Sequence, residues 1–129
     1  MKITKKNCID MFIALCKHFH VEGFCIRTPG VLVGVVNGTG KFFYSEYYDV
    51  SIRSPYLLEL MQKCPLMFKE NASLSFSDIA YYCRKDVNDI LFNFVKESMK
   101  NLCGKSIRFN DTLYKKISIE ELCIENDLK

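Results

Sequence analysis

The sequence predicts an α+β domain: an N-terminal helix, a β-hairpin or three-stranded meander, and then helices closed by a short C-terminal hairpin. Three patterns support this prediction: apolar residues at helical spacing before residue 20, a β-branched run that meets a glycine-rich turn, and a long amphipathic stretch after residue 86. A chain of 129 residues is close to the commonest domain size, and 49% apolar residues suffice for a core. We therefore expect a single domain spanning residues 1–129.

The first helix is predicted over residues 4–19. Gly23 follows, close to the position where a helix stop is expected. The apolar stripe of this helix consists of Cys8, Phe12, Leu15, Cys16 and Phe19.

A hairpin is predicted next, because two strand-like runs flank residues that tolerate a positive φ. Residues 31–36 are β-branched and apolar, residues 37–40 read Asn-Gly-Thr-Gly, and residues 42–52 are rich in aromatic side chains. Residues 24–27 precede a Pro-Gly turn and form a candidate third strand.

The second half begins with a helix that should start at Ser54-Pro55 and should break at Cys64-Pro65. A short helix is expected from Ser75 or Ser77 to about residue 83. The strongest helix begins at Asp86, and its inward face is Val87, Ile90, Leu91, Phe94, Val95, Met99 and Leu102.

The end of the chain predicts three smaller features. Gly104 lies where a left-handed residue should end the long helix. A short hairpin is expected over residues 106–117 around Asn110-Asp111-Thr112. Ser118 and Glu121 form a capping-box pattern that opens a final short helix.

Charge, hydropathy and cysteine content limit the protein class. The formal charge of +3 permits an anionic partner without requiring one, and no apolar run is long enough to cross a membrane. The seven cysteines are odd in number, irregular in spacing and embedded in apolar patterns, which favours reduced thiols in the cytoplasm, or in the nucleus of a eukaryotic or viral system. The abundance of Lys, Asn, Ile, Phe and Tyr is typical of AT-rich coding sequences, as in a low-GC microbe or a virus.

Two segments contain residue types that carry chemistry, but each has a simpler explanation. Residues 38–41 read Gly-Thr-Gly-Lys, yet the glycine spacing and the missing hydroxyl residue favour a hairpin turn over a phosphate-binding loop. Cys16 and His20 could share a helix face, with Cys25 downstream, but no CxxC pair accompanies them and ordinary helix-end histidines are favoured over zinc ligands. No motif marks a nucleophilic cysteine or a hydrolase serine, so we expect neither an enzyme nor a bound cofactor or metal.

Neighbouring aromatic residues in the predicted hairpin suggest a contact surface. Side chains alternate between the two faces of a strand, so adjacent rings cannot all be buried against one core. Three interpretations remain open: a strand buried on both faces, a protein interface, or a base-stacking surface. The residues concerned are Phe42, Phe43, Tyr44, Tyr47 and Tyr48.

The element order from residue 55 onward matches that of a winged helix, a helix-turn-helix followed by a β wing. Asp86 and Asp89 at the start of the would-be recognition helix oppose DNA binding, because their charge would face phosphates. Basic residues that could contact nucleic acid are the wing residues Lys105, Arg108, Lys115 and Lys116 and the N-terminal Lys2, Lys5 and Lys6.

From these patterns we expect a small regulatory module that binds a protein partner, including a second copy in a dimer, through residues 42–48. The alternative is a winged-helix-type DNA- or RNA-binding regulator, and a cysteine- or zinc-dependent enzyme comes third. Neither a membrane nor a small-molecule substrate is indicated by the sequence.

Overall fold

The computed structural model describes residues 2–28, 31–36, 50–65, 73–74, 88–106, 108–109, 112–113 and 115–128, together with Asp78 and Tyr81. The helices in this part of the chain are α1 (Cys8–His18), α2 (Pro55–Lys63), α3 (Asn88–Leu102) and α4 (Ile119–Glu125). The strands are β1 (Val21–Thr28), β2 (Val31–Val36), β3 (Val50–Arg53), β4 (Ser73–Leu74), β5 (Arg108–Phe109) and β6 (Thr112–Leu113). The predicted α+β class is confirmed.

The strands form an antiparallel sheet in the order β3-β2-β1-β4, and β5 and β6 form a separate two-stranded hairpin. Strands β1, β2 and β3 make the meander that the sequence predicts. Their register aligns Ile26 with Leu32 and Leu32 with Ile52, so these three side chains share one face of the sheet. All three are at most 1% exposed, which identifies this face as the core side.

The helices α1 and α3 cover the core side of the sheet. Phe12 of α1 stacks on Phe24 of β1 with ring centroids 5.7 Å apart, and Phe94 of α3 lies 6.2 Å from the same Phe12 ring. Helix α2 packs against α3, and α4 packs against α1. Every member of the predicted α1 stripe is buried, as are five members of the predicted α3 face: Leu91, Phe94, Val95, Met99 and Leu102.

Helix α1 differs from its prediction at both ends. It begins at Cys8 rather than residue 4, and it ends at His18, with Phe19 as its C-cap. The left-handed residue that follows is His20 (φ 59°), so the stop predicted at Gly23 was wrong. Gly23 lies inside β1, next to a register shift between Val21 and Gly23, where a strand glycine marks a bulge.

Serine caps open α2 and α4 as the sequence predicts. The Ser54 hydroxyl accepts a hydrogen bond from the Tyr56 N–H at 3.2 Å, and Pro55 occupies the first helical position. Helix α2 ends at Lys63, just before the predicted break at Cys64-Pro65. The Ser118 hydroxyl accepts from the Glu121 N–H at 3.1 Å and so satisfies a free backbone donor of α4.

Left-handed residues end α3 and α4. Gly104 has a φ of 79° and donates its N–H to the Ile117 carbonyl at 2.9 Å, which confirms the predicted helix stop. After α4 the left-handed residue is Asp127 (φ 54°). The Leu128 N–H bonds the Cys123 carbonyl at 2.8 Å and the Asp127 N–H bonds the Ile124 carbonyl at 3.3 Å, the pattern of a Schellman motif.

Several predicted segments lie wholly or partly outside the described residues. Residues 37–49 are not described, so the predicted strand over 42–52 is described only at its end, where β3 pairs with β2. The short helix over 75–83 also falls outside, except for Asp78 and Tyr81, as do Asp86 and Val87. The β5–β6 hairpin is present where the sequence predicts a second hairpin, with Arg108 opposite Leu113 and Phe109 opposite Thr112. Helices α2 and α3 and this hairpin follow one another in the order that the winged-helix prediction requires, whereas most of its short middle helix lies outside the described residues.

The described cysteines are free thiols, and the structure supports their interpretation as small apolar side chains. Cys8, Cys16, Cys25 and Cys123 are buried, whereas Cys64 and Cys103 are partly exposed. Cys83 lies outside the described residues. None of the helices in the described ranges is long and apolar enough to cross a membrane.

Candidate functional site

The aromatic residues expected to bind a partner, Phe42, Phe43, Tyr44, Tyr47 and Tyr48, lie outside the described residues. The structure does describe the strand that this segment precedes. Strand β3 begins at Val50 and lies at one end of the strand order, with β2 as its described neighbour.

The sheet face opposite the helices, which we call the outer face, is apolar in its centre and polar toward β3. Cys25 pairs with Val33, Val33 with Ser51, and Val31 with Arg53, so these side chains share a face. Cys25 is buried, Val31 and Val33 are half-buried, and Ser51 and Arg53 are exposed. Because α1 and α3 pack on the side of Phe24, these two helices do not cover the outer face.

The predicted nucleic-acid residues are grouped at the β5–β6 hairpin. Lys105, Lys115 and Lys116 are exposed, and Arg108 begins β5. The hydrogen bond from the Gly104 N–H to the Ile117 carbonyl closes this segment at its base. Lys105 follows Gly104 and Lys116 precedes Ile117, so the backbones of these two lysines lie close together.

The remaining predicted basic residues lie at the N-terminus, where Lys2, Lys5 and Lys6 are all exposed. The Lys5 ammonium bonds the Asp89 carboxylate at the start of α3. This contact partly neutralises Asp89, whose charge was an argument against DNA binding. It also leaves Lys5 less available to contact a phosphate.

The Cys16 and His20 pair does not have the arrangement of a metal site. Cys16 is fully buried in α1, and burial raises its pKa, which disfavours the thiolate that binds zinc. His20 is exposed and lies beyond the helix in the left-handed region. The part of the chain that the structure describes contains no group of three His, Cys, Asp or Glu side chains placed to hold a metal ion.

Two other described thiols, those of Cys103 and Cys8, are also poorly activated. Burial raises the pKa of Cys103 to about 11, with further contributions from the nearby Glu120 carboxylate and the Cys123 thiol. Burial likewise raises the pKa of Cys8. A raised pKa lowers the thiolate fraction at neutral pH, so neither thiol has the character of a catalytic nucleophile.

Sequence reasoning missed one exposed apolar residue, Ile124 on α4, which is 82% exposed. It lies beside a surface concavity of about 460 Å³ lined by Glu120, Cys123, Ile124, Asp127 and Leu128, which we call the α4 cleft. A signal for it exists, because the adjacent apolar residues Leu122, Cys123 and Ile124 cannot all face inward on one helix.

Comparison of the chain with models of known protein families, with curated proteins and with solved structures finds no match.

Proposed function

We propose that this protein is a small non-enzymatic module that binds a protein partner, or a second copy of itself, through the aromatic segment 42–48. The outer face supports the proposal best. It combines half-buried valines with an exposed serine and arginine on the side of the sheet away from α1 and α3. Apolar centres with polar rims are common in protein interfaces, where Tyr, Phe and Arg are enriched.

The register of β3 suggests which aromatic residues to test. Ser51 and Arg53 belong to the outer face, and Ile52 belongs to the core side. If the strand extends back through residue 42, as the sequence predicts, alternation assigns Phe43 and Tyr47 to the face of Ser51. On the same assumption, Tyr44 and Tyr48 belong with Ile52 and are expected to matter for stability instead.

Alanine substitutions at these positions test the proposal. Phe43→Ala and Tyr47→Ala are expected to abolish partner capture, or a dimer seen by light scattering, while circular dichroism and the unfolding midpoint stay close to wild type. Tyr44→Ala and Tyr48→Ala serve as matched controls of the same size change and should lower stability. If Phe43→Ala and Tyr47→Ala unfold the protein, their rings belong to the core and the proposal is wrong. Folded variants that retain partner capture or the dimer would also refute it.

Nucleic-acid binding is the second candidate function, supported by the exposed lysines around the β5–β6 hairpin. Lysines that neutralise phosphates make binding fall steeply with salt, by a log–log slope of roughly −0.7 to −0.9 per phosphate contact. The triple change of Lys105, Lys115 and Lys116 to Gln should then flatten that slope in a gel-retardation series. Lys63→Gln on α2 is a control at another exposed lysine. Absence of any retardation at low salt would exclude this function.

A further inference from the structure

The α4 cleft combines an exposed apolar side chain with a preformed hollow. Ile124 is the most exposed large apolar residue in the described part of the chain, ahead of Tyr81 at 70% and Leu58 at 45%. The hollow beside it has an apolar wall from the buried Cys123 and the half-buried Leu128. An apolar anchor next to a concave apolar surface is typical of a site that another molecule covers.

The rim of the cleft is acidic, which indicates the chemistry of its partner. Two of the five described residues that line the cleft are acidic, Glu120 and Asp127, and none of the five is basic, whereas the whole chain has a formal charge of +3. Both carboxylate side chains are exposed, as are those of Glu121 and Glu125 elsewhere on α4. A local reversal of charge around an apolar anchor is complementary to a segment that carries Lys or Arg beside an apolar residue.

The walls of the cleft are held in place by backbone and side-chain contacts. The Schellman bonds from Leu128 and Asp127 fix the chain after α4. The Glu125 carboxylate lies 3.2 Å from His18 Nδ1, which ties α4 to the end of α1. A surface that is ordered before its partner arrives loses less conformational freedom on binding.

We propose that the α4 cleft is a docking site for a basic, apolar-anchored segment of a partner protein. The partner places an apolar side chain against Ile124 and Leu128 and its Lys or Arg side chains near Glu120 and Asp127. Because α4 packs on α1, the cleft belongs to the helical layer and not to the outer face of the sheet. The inference therefore stands independently of the function proposed for residues 42–48.

Fluorescence anisotropy with the 129-residue chain and a labelled peptide of lysine and leucine tests this proposal. One control peptide carries glutamate in place of lysine, and another carries serine in place of leucine. The lysine–leucine peptide should bind at least about tenfold more tightly than either control peptide, and its binding should weaken with added salt. Equal binding of all three peptides, or no binding of the first at low salt, would overturn the proposal.

Variants separate the cleft from the rest of the surface. Ile124→Ser should weaken peptide binding by about tenfold because it removes the apolar anchor. The double change Glu120→Gln with Asp127→Asn should weaken peptide binding by at least about fivefold and reduce its salt dependence. Asn is chosen at position 127 because it tolerates the left-handed backbone there. Leu58→Ser on α2 is the matched control and should leave binding unchanged.

Three further results would contradict the proposal. The first is that Leu58→Ser weakens binding as much as Ile124→Ser, which would mean non-specific adhesion. The second is that the cleft variants bind as wild type does. The third is a dimer in sedimentation velocity that Ile124→Ser dissociates, because the occupant would then be a second copy and not a basic partner. Phe43→Ala should leave peptide binding intact, which separates this site from the one proposed on the aromatic segment.

Discussion

Replacing Gly104 by alanine isolates the energetic cost of a left-handed backbone in this fold. Gly104 ends α3 with a φ of 79°, and a Cβ added there would meet no atom within 4 Å. The substitution therefore adds no steric clash, and its effect comes from backbone conformation alone. Holding an L-residue in this region costs roughly 1–2 kcal/mol, offset in part by the reduced flexibility of the unfolded chain, worth about 0.4–1 kcal/mol. We expect Gly104→Ala to lower the free energy of unfolding by about 1 kcal/mol.

Equilibrium unfolding in urea is the appropriate assay, read by far-UV circular dichroism with the slope of the transition held as a check on two-state behaviour. Asp127→Gly provides the opposite change, because Asp127 occupies the same backbone region at φ 54° without the freedom of glycine. It should raise the free energy of unfolding by up to about 1 kcal/mol. The reasoning fails if Gly104→Ala is neutral or stabilising, or if both variants shift the midpoint in the same direction.

Three further predictions concern the core, a helix cap and the dependence on pH. Phe12→Ala removes the ring that joins Phe24 to Phe94 and should cost about 3–5 kcal/mol in the same assay, whereas a cost below about 1 kcal/mol would mean that the core is not centred there. Ser54→Ala should lower the free energy of unfolding by about 1 kcal/mol because the Tyr56 N–H loses its acceptor. Ser51→Ala changes an exposed serine and should be nearly neutral, so equal effects of the two substitutions would contradict this prediction. Burial raises the pKa of Cys103 from the ordinary value of 9.0 to about 11, so the folded protein holds the thiol proton more tightly than the unfolded chain does. The stability that depends on the protonated thiol is therefore fully present below pH 9 and is lost as the pH rises to about 11. The thermal midpoint should fall more steeply across that window in wild type than in Cys103→Ser, and parallel curves would refute this.

Local signals predicted much of the fold because their physics is local. Ser54 and Ser118 cap helices through hydrogen bonds to residues two or three positions away, and Gly104 ends a helix through its own φ. The α3 face is also readable, since helical spacing brings its apolar residues into one stripe. These features require no knowledge of distant parts of the chain.

The errors arose where tertiary contacts or backbone tolerance decided the outcome. Gly23 was predicted to stop α1, but it lies in β1 beside a bulge, where the strand pairs with β2. The left-handed residue after α1 is His20, at a position that glycine usually occupies. The two-residue strand β4 offers too short a pattern to recognise, and only its pairing with Phe24 and Cys25 defines it. Helix α4 has seven residues, too few for periodicity to show which apolar side chain faces solvent.

The candidate sites were predictable to different degrees. Exposure of the lysines at 105, 115 and 116 follows from their charge, because an ammonium is rarely buried without a partner. The exposed Ile124 was missed because hydrophobicity alone assigns it to the core. The aromatic segment 42–48 remains a prediction of the sequence.

The strand order has a consequence for how the chain acquires its structure during synthesis. Strand β1 pairs on one side with β2, which follows it closely, and on the other with β4, whose residues Ser73 and Leu74 emerge from the ribosome much later. The contact between Phe12 and Phe94 can form only later still, because Phe94 lies in α3. A nascent chain released only as far as β3 therefore lacks both the β4 side of its sheet and most of its helical cover. Folding should be completed only after α3 has been made, and long-range pairing of this kind favours slow folding.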